Sequence, residues 1–369
     1  MHDDLPQRKS QHLDLVQRPD VEPEGSDPLF HCVRLLHRAL PELALSEIDL
    51  RAELCGKPLR APLMIVGMTG GTERAGQVNR DLALLAQEAG VAFGVGSMRV
   101  LLDEPQLLPT FAVESRPPVL MANLGAQQLV QRGSEAALKL IELLKADGIC
   151  IHLNAAQELV QGDGDRDFRG CLEAIEKLAK QLGPRMIVKE TGCGLSPQTV
   201  RQLAGKGVKA VDVSGLGGTS WPRVEQLRAQ TSESRELGGQ LSGWGIPTAA
   251  CVAAARAAEQ DVKIIASGGI RDGFDAARAL ALGADLAGVA LPFVRAHHAG
   301  GLEAARALLN GFISSLQAAL LLCGVKDIAA LRASKPIILE PLRSWIDGLT
   351  SPSSRDGLTS ASSRDGLAR

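Results

Sequence analysis

The stretch Gly148-Ile149-Cys150-Ile151-His152-Leu153-Asn154-Ala155-Ala156-Gln157-Glu158 decides the reading of this chain. Its apolar opening reads as a buried strand, and successive side chains on a strand point to opposite faces. Cys150, His152 and Asn154 then share one face, while Ile149, Ile151 and Leu153 share the other. The apolar face can pack under helices. The polar face must look into something that satisfies it, because a buried polar group without a partner costs about 1–3 kcal/mol. A His, an Asn, a Gln and a Glu at one strand end suit a charged, metal-bound ligand. The alternative is a solvated strand-to-helix turn.

Working outward, the same rhythm recurs. Short apolar runs at Leu63–Met68, Val91–Val95, Val119–Asn123, Ile149–Asn154, Met186–Glu190, Ala210–Ser214, Lys263–Ser267 and Leu286–Leu291 read as strands. Helical patterns lie between them: Ala75–Ala89, Glu135–Lys145, Asp167–Leu182, Pro197–Ala204, Thr248–Ala258 and Gly273–Leu282. Strands separated by helices form a parallel sheet, since parallel neighbours need crossover connections. Eight such units predict a closed (β/α)8 TIM barrel of class α/β. An open doubly wound sheet is disfavoured, because no Gly-rich dinucleotide fingerprint follows the first strand with an acid about twenty residues on.

The predicted organisation is an N-terminal extension (1–53) contributing to the site, a barrel (54–345) and a tail (346–369). The extension carries a helix-like piece around Phe30–Ala39. Two segments break the rhythm. Leu216–Pro247 is long for a connection and reads as a lid or a disordered segment. The tail repeats DGLTSPSSR (347–355) as DGLTSASSR (356–364), a Ser/Gly-rich pattern that predicts disorder.

Composition narrows the function. Of 369 residues, 45% are hydrophobic and 22% charged, as in ordinary globular chains. A net charge of -2 argues against nucleic-acid or membrane-surface partners, and 3% aromatics with no Tyr argue against base-stacking platforms. The seven Cys show no metal-ligand spacing and read as reduced thiols. No run reads as a membrane span or a signal peptide, so the expected location is the cytoplasm.

In such a barrel the working residues sit at the C-terminal strand ends. Those ends carry Met68 and Thr69, Ser97 and Arg99, Asn123, then His152, Asn154, Gln157 and Glu158. Lys189, Ser214, Gly268-Gly269 and Ala290-Leu291 complete the circuit. Lys189 shares a strand face with Ile187. If that face is inward, the ammonium loses hydration and needs an anionic partner, for which a reduced flavin would serve. An outward Lys189 is the alternative. Gly268-Gly269 followed by small residues at the next strand end suits a phosphate cradle. Arg8, Lys9 and His12 gain meaning if the N-terminal segment folds over the mouth near Arg99. Cations around Glu158 then describe a diphosphate site bridged by a divalent ion, since Mg²⁺ typically takes one carboxylate plus substrate phosphates.

These residues resemble type 2 isopentenyl-diphosphate isomerases, flavin-dependent (β/α)8 enzymes. The likeness runs from Arg8 to about Arg295. Its marks are Arg8-Lys9-x-x-His12, Met68-Thr69-Gly70-Gly71, Gly94-Val95-Gly96-Ser97, Asn123-Leu124-Gly125-Ala126 and His152-x-Asn154-x-x-Gln157-Glu158. Gln161-x-x-Gly164-Asp165-x-x-Phe168, Lys189-Glu190-x-Gly192, Ser214-Gly215-x-Gly217-Gly218-Thr219 and Ser267-Gly268-Gly269-Ile270-Arg271 extend them. The family pattern has Gln where this chain has Met98, which removes an amide from the expected substrate side.

The resemblance implies that Met68, Thr69, Ser97, Asn123, Lys189 and Ser214 hold FMN, together with Thr219, Gly268, Gly269, Ala290 and Leu291. It implies substrate contacts from Arg8, Lys9, Ser97, Arg99, His152, Asn154 and Gln157, and Mg²⁺ on Glu158. Gln157 would orient or relay a proton, with His152 the alternative for that task. The implied reaction is interconversion of isopentenyl and dimethylallyl diphosphate on reduced FMN in isoprenoid biosynthesis. NADPH would serve only as the initial reductant, and the implied assembly is a homotetramer or homo-octamer. Two other readings stand beside it: an FMN-dependent oxidoreductase of a small hydroxy acid or nucleotide, and a catalytically silent flavin or phosphate binder. The oxidoreductase needs a dedicated base or Cys nucleophile. The loop after the sixth strand offers Thr219, Ser220 and Trp221 instead.

Overall fold

The computed structural model describes residues 5–23 and 25–351. Eight parallel strands close into a barrel: β1 (Leu63–Ile65), β2 (Ala92–Gly94), β3 (Leu120–Gly125), β4 (Gly148–His152), β5 (Met186–Lys189), β6 (Ala210–Asp212), β7 (Lys263–Ala266) and β8 (Leu286–Val289). β8 pairs with β1 to complete the ring. Each strand falls within or against its predicted run, so the expected TIM barrel is the observed fold.

Alternation along each strand sorts the core. Met64, Met121, Cys150, Ile187, Ala210, Ile265 and Leu286 fill the interior. Ile149, Ile151, Val188 and Val211 pack outward with the helices. The opposite faces of Cys150 and Ile151 are those read from the sequence. The hairpin Ala52–Leu54/Lys57–Leu59 plugs the N-terminal end, with Leu54 and Leu59 joining the interior cluster. Its turn, Cys55-Gly56, has φ of 53° and 74°. Two positive φ values are what a tight hairpin whose twist matches its strands requires. The hairpin straddles the boundary expected at residue 53.

Helix starts follow capping chemistry. Thr72, Ser196 and Asp272 accept hydrogen bonds from the amides of Ala75, Thr199 and Asp275. The helix expected at Glu135 is the second part of Ala126–Leu144, which non-helical dihedrals at Gly133 separate from a first part beginning at Ala126. That expected at Asp167 begins at Cys171, since Asp167 is engaged with Arg169.

Three expectations are corrected. Phe30–Ala39 is not helical. A 3-10 turn, Phe30–Cys32, leads into strand Val33–Arg34, which pairs antiparallel with Ile337–Ile338. Tertiary pairing overrides local propensity there. Of the two readings of Leu216–Pro247, disorder is overturned: a bridge between Leu216 and Pro247 closes its base, and it carries helices Trp221–Arg228 and Ser232–Leu241. Ser220 and Thr231 cap them. The expected tail begins inside a helix, Leu342–Thr350, and residues 352–369 lie outside the described part.

Contrary to the sequence reading, one helix, Leu291–Leu322, is long and apolar enough by length and composition to cross a membrane. Non-helical dihedrals at Gly300 and Gly301 break it. Phe312, Leu316 and Leu320 on its second half are buried in the main apolar core.

Candidate active site

Two cavities open at the C-terminal end of the barrel and share Gly67, Met68, Lys189, Thr191 and Trp221 as walls. The larger gathers Arg8, Lys9, Thr69, Ser97, Arg99, Asn123, His152, Asn154, Gln157 and Glu158. The smaller gathers Ser214, Thr219, Gly268, Gly269, Ala290 and Leu291. Every residue given a binding or catalytic role from the sequence therefore borders one of the two cavities. Met98 does not: it is fully buried in the apolar core and lines neither cavity. Its missing amide is not a loss to the cavity wall.

The N-terminal helix Leu5–Leu15 lies over the mouth. Lys9 Nζ donates to the Ser97 carbonyl oxygen at 2.8 Å and sits 4.8 Å above the Phe111 ring. Burial, then neighbouring Arg8, pushes the Lys9 ammonium down to about 7. An anionic ligand would restore its charge. Arg8 lies 3.4 Å from Asp163.

His12 leads to what the sequence reading missed. Glu225, almost fully buried, accepts from His12 Nε2 at 3.0 Å, Gln157 Nε2 at 2.9 Å and Arg228 Nη1 at 2.6 Å. Burial opposes the Glu225 charge, yet the His12 bond, Arg228 and Gln157 hold the carboxyl at about 2. Burial lowers His12, while its bond to Glu225 pulls the other way. Glu225 and Arg228 lie on the helix starting at Trp221. A Ser followed two residues later by Pro is a helix-start signal, and Ser220-Trp221-Pro222 could have revealed it.

Glu158 is held at both oxygens. Asn154 Nδ2 donates to one at 2.8 Å, and the Asp165 amide to the other at 2.8 Å. Arg166 ties the loop shut by donating to the carbonyl oxygens of Glu158 and Gln161. Asn154 Oδ1 is buried without a partner. A fixed carboxylate beside an orphaned acceptor suits a cation whose remaining ligands come from a bound anion.

The smaller cavity suits a phosphate-bearing cofactor. Gly268 and Gly269 have φ of 97° and 85°. A Cβ there would lie 2.2 Å from the Gly215 carbonyl oxygen or 2.6 Å from that of Gly217. Helix Leu291–Leu322 begins at this wall, and no side chain caps its first amides. Pro292 has no N–H and the Phe293 and Val294 amides turn back to the Ala290 carbonyl oxygen, so it is the glycine turn, whose backbone a ligand can approach closely, that suits a phosphate. Lys189, inward and 6% exposed, stands between the two cavities. Its Nζ donates to the Glu190 carbonyl oxygen at 2.6 Å.

Fold and site together define a (β/α)8 barrel with two joined cavities at its C-terminal end. Residues 152–337 match the family model described as FMN-dependent dehydrogenase. The chain belongs to the isopentenyl-diphosphate delta-isomerase family. It is 44% identical over 345 residues to the isopentenyl-diphosphate delta-isomerase of Ignicoccus hospitalis, spanning 92% of this chain and 95% of that one. The Synechococcus enzyme of the same name is 45% identical, covering 91% and 97%. Among solved structures, Pediococcus acidilactici lactate oxidase superposes with a TM-score of 0.61 at 16% identity, covering 89% and 94%. A flavocytochrome b2 variant with pyruvate bound gives 0.63 at 15%, covering 97% and 90%. These last two share the fold.

Proposed function

We propose that this protein interconverts isopentenyl diphosphate and dimethylallyl diphosphate. The observation that carries the reading is 44% identity to an enzyme of that name over 92% of the chain. The site supports it: cations and a held carboxylate ring one cavity, and a glycine phosphate cradle forms the next.

The reaction adds a proton at the terminal carbon of an alkene and removes one from the allylic carbon on the far side of the double bond, with positive charge developing at the tertiary carbon between them. FMN, when bound and reduced, supplies an electron-rich ring facing that charge and a protonatable edge. Ser214, Thr219, Gly268, Gly269, Ala290 and Leu291 would hold its ribityl phosphate side, and Met68, Thr69, Ser97, Asn123 and Lys189 its ring. Glu158 would take Mg²⁺, while Arg8, Lys9 and Arg99 bind the diphosphate with Asn154 and His152. Apolar Leu13, Val16, Met68 and Trp221 face the same cavity and exclude water from the prenyl tail. Gln157, oriented by Glu225, positions or relays the moving proton. NADPH would serve only to reduce FMN at the outset, since the reaction has no net redox change. Seven unpaired cysteines support a reducing, cytoplasmic setting. A homotetramer or homo-octamer is part of the proposal by family resemblance.

Purified protein is expected to be yellow. With Mg²⁺ and anaerobically reduced FMN it should equilibrate labelled isopentenyl diphosphate with its isomer. Equal rates with oxidised and reduced FMN would remove the proposed role of the flavin. Bleaching of FMN by a hydroxy acid would favour an oxidoreductase.

A further inference from the structure

Lys189 has a charged neighbour below the mouth. β5 and β6 run parallel in a register that pairs Lys189 with Asp212. Two residues upstream on the same strands, Ile187 and Ala210 lie in the barrel interior. Alternation therefore directs Lys189 and Asp212 inward as well. Lys189 is 6% exposed and Asp212 is 2% exposed. Lys189 borders both cavities and Asp212 borders neither, so the carboxylate stands beside the lysine on the next strand, off the cavity wall.

Asp212 is held rigidly. Its Oδ1 accepts from Ser267 Oγ at 2.6 Å and from the Ser214 amide at 3.2 Å. The second bond fixes Ser214 at a φ of 37°, a left-handed conformation that a serine rarely adopts. Burial raises the Asp212 carboxyl, while the Lys189 charge and the Ser267 bond favour its ionised form. The neighbouring Lys189 and the Ser267 hydroxyl are the groups that would hold it ionised against that burial. Lys189 Nζ is bonded to the Glu190 carbonyl oxygen rather than locked in an ion pair with Asp212. Its charge thus acts both on the carboxylate beside it and on whatever occupies the cavities it borders.

We propose that Asp212 is a positioning residue acting through Lys189: its fixed negative charge tempers the lysine's field on the cofactor and sets the reduction potential of the bound flavin. This rests on the FMN reading of the site. Adding two electrons to a flavin places negative charge in front of Lys189. An ionised carboxylate beside the lysine opposes that by like-charge repulsion. Removing its charge stabilises the reduced cofactor.

The test is Asp212→Asn in the FMN-loaded protein. Asn keeps an acceptor oxygen for Ser267 and Ser214 and deletes only the charge. The midpoint potential is read by equilibration with a reference dye at fixed pH. It is expected to rise by about 30 mV or more, the equivalent of tenfold for a two-electron couple. In a Lys189→Met background the same substitution should shift the potential by clearly less. Asp212→Ser, which also deletes the charge, serves if the Asn variant does not fold. An unmoved potential in a variant that holds FMN overturns the proposal, and equal shifts in both backgrounds overturn the link through Lys189. Wild-type protein that takes up no FMN overturns the cofactor reading itself, and this inference with it.

Discussion

Asn123 fixes the tautomer of His152. The Asn123 Nδ2 donates to the Val95 carbonyl oxygen at 3.1 Å, which orients the amide. Its Oδ1 then faces His152 Nδ1 at 2.9 Å. An amide oxygen only accepts, so Nδ1 carries the proton and Nε2 presents a lone pair. Burial, with the charges of Lys189 and then Lys9, pushes the imidazole down to about 3. His152 thus meets its ligand as a neutral acceptor.

The ring is therefore expected to show no titration between pH 5 and 8 in histidine NMR spectra of the ligand-free protein. A midpoint near 6.5 would contradict the packing around it. The sign for stability follows. The folded value lies below the ordinary one, so the unfolded chain takes up the proton first as pH falls. The contribution is complete above about 6.5 and is lost towards pH 3, on the order of a few kcal/mol. His152→Gln should flatten the pH slope of the urea midpoint in that window.

Gln157 is steered by a buried carboxylate. Glu225→Gln withdraws a charge-assisted bond worth about 1.5–3 kcal/mol, or about ten- to hundredfold in rate. The expected result is a fall of that size in kcat with KM little changed. A change confined to KM would move Glu225 from orienting Gln157 to binding substrate.

Glu158 is the carboxylate assigned to the metal. Glu158→Gln keeps an acceptor for the Asp165 amide but loses the charge. The Mg²⁺ concentration giving half-maximal rate should rise by about tenfold or more, the scale of removing a hydrogen-bonded charge. An unaltered metal titration would take Glu158 out of that role.

The turn at Gly268 tolerates no side chain. Its φ of 97° and the Gly215 carbonyl oxygen 2.2 Å from a would-be Cβ make Gly268→Ala a displacement of backbone. FMN affinity, read by fluorescence quenching, should weaken by at least about tenfold, since a strained φ alone costs about 1–3 kcal/mol. An unchanged Kd would move the phosphate elsewhere.

The barrel was legible because each strand is a short apolar run bounded by turn residues, and the inward or outward sense of Cys150 and Ile151 follows from period two. The rim residues were legible because they directly follow those runs. Glu225 and Arg228 were not, since they sit on a helix inside a connection whose length alone suggested a loop. Asp212 was visible as a strand end, but its partnership with Lys189 depends on strand register, which one strand's sequence does not carry. Phe30–Ala39 misled because its strand pairs with Ile337 and Ile338, some three hundred residues away.

The interior below Lys189 is sealed by Met64, Met121, Cys150, Ile187 and the plug residues Leu54 and Leu59. Foundation and chemistry are thereby inherited separately along one axis. Exchanges among the rim side chains leave the lower storey undisturbed, so descent can rewrite what the mouth recognises while the masonry stays. The fold itself recurs at 16% identity, in a solved structure that superposes with a TM-score of 0.61.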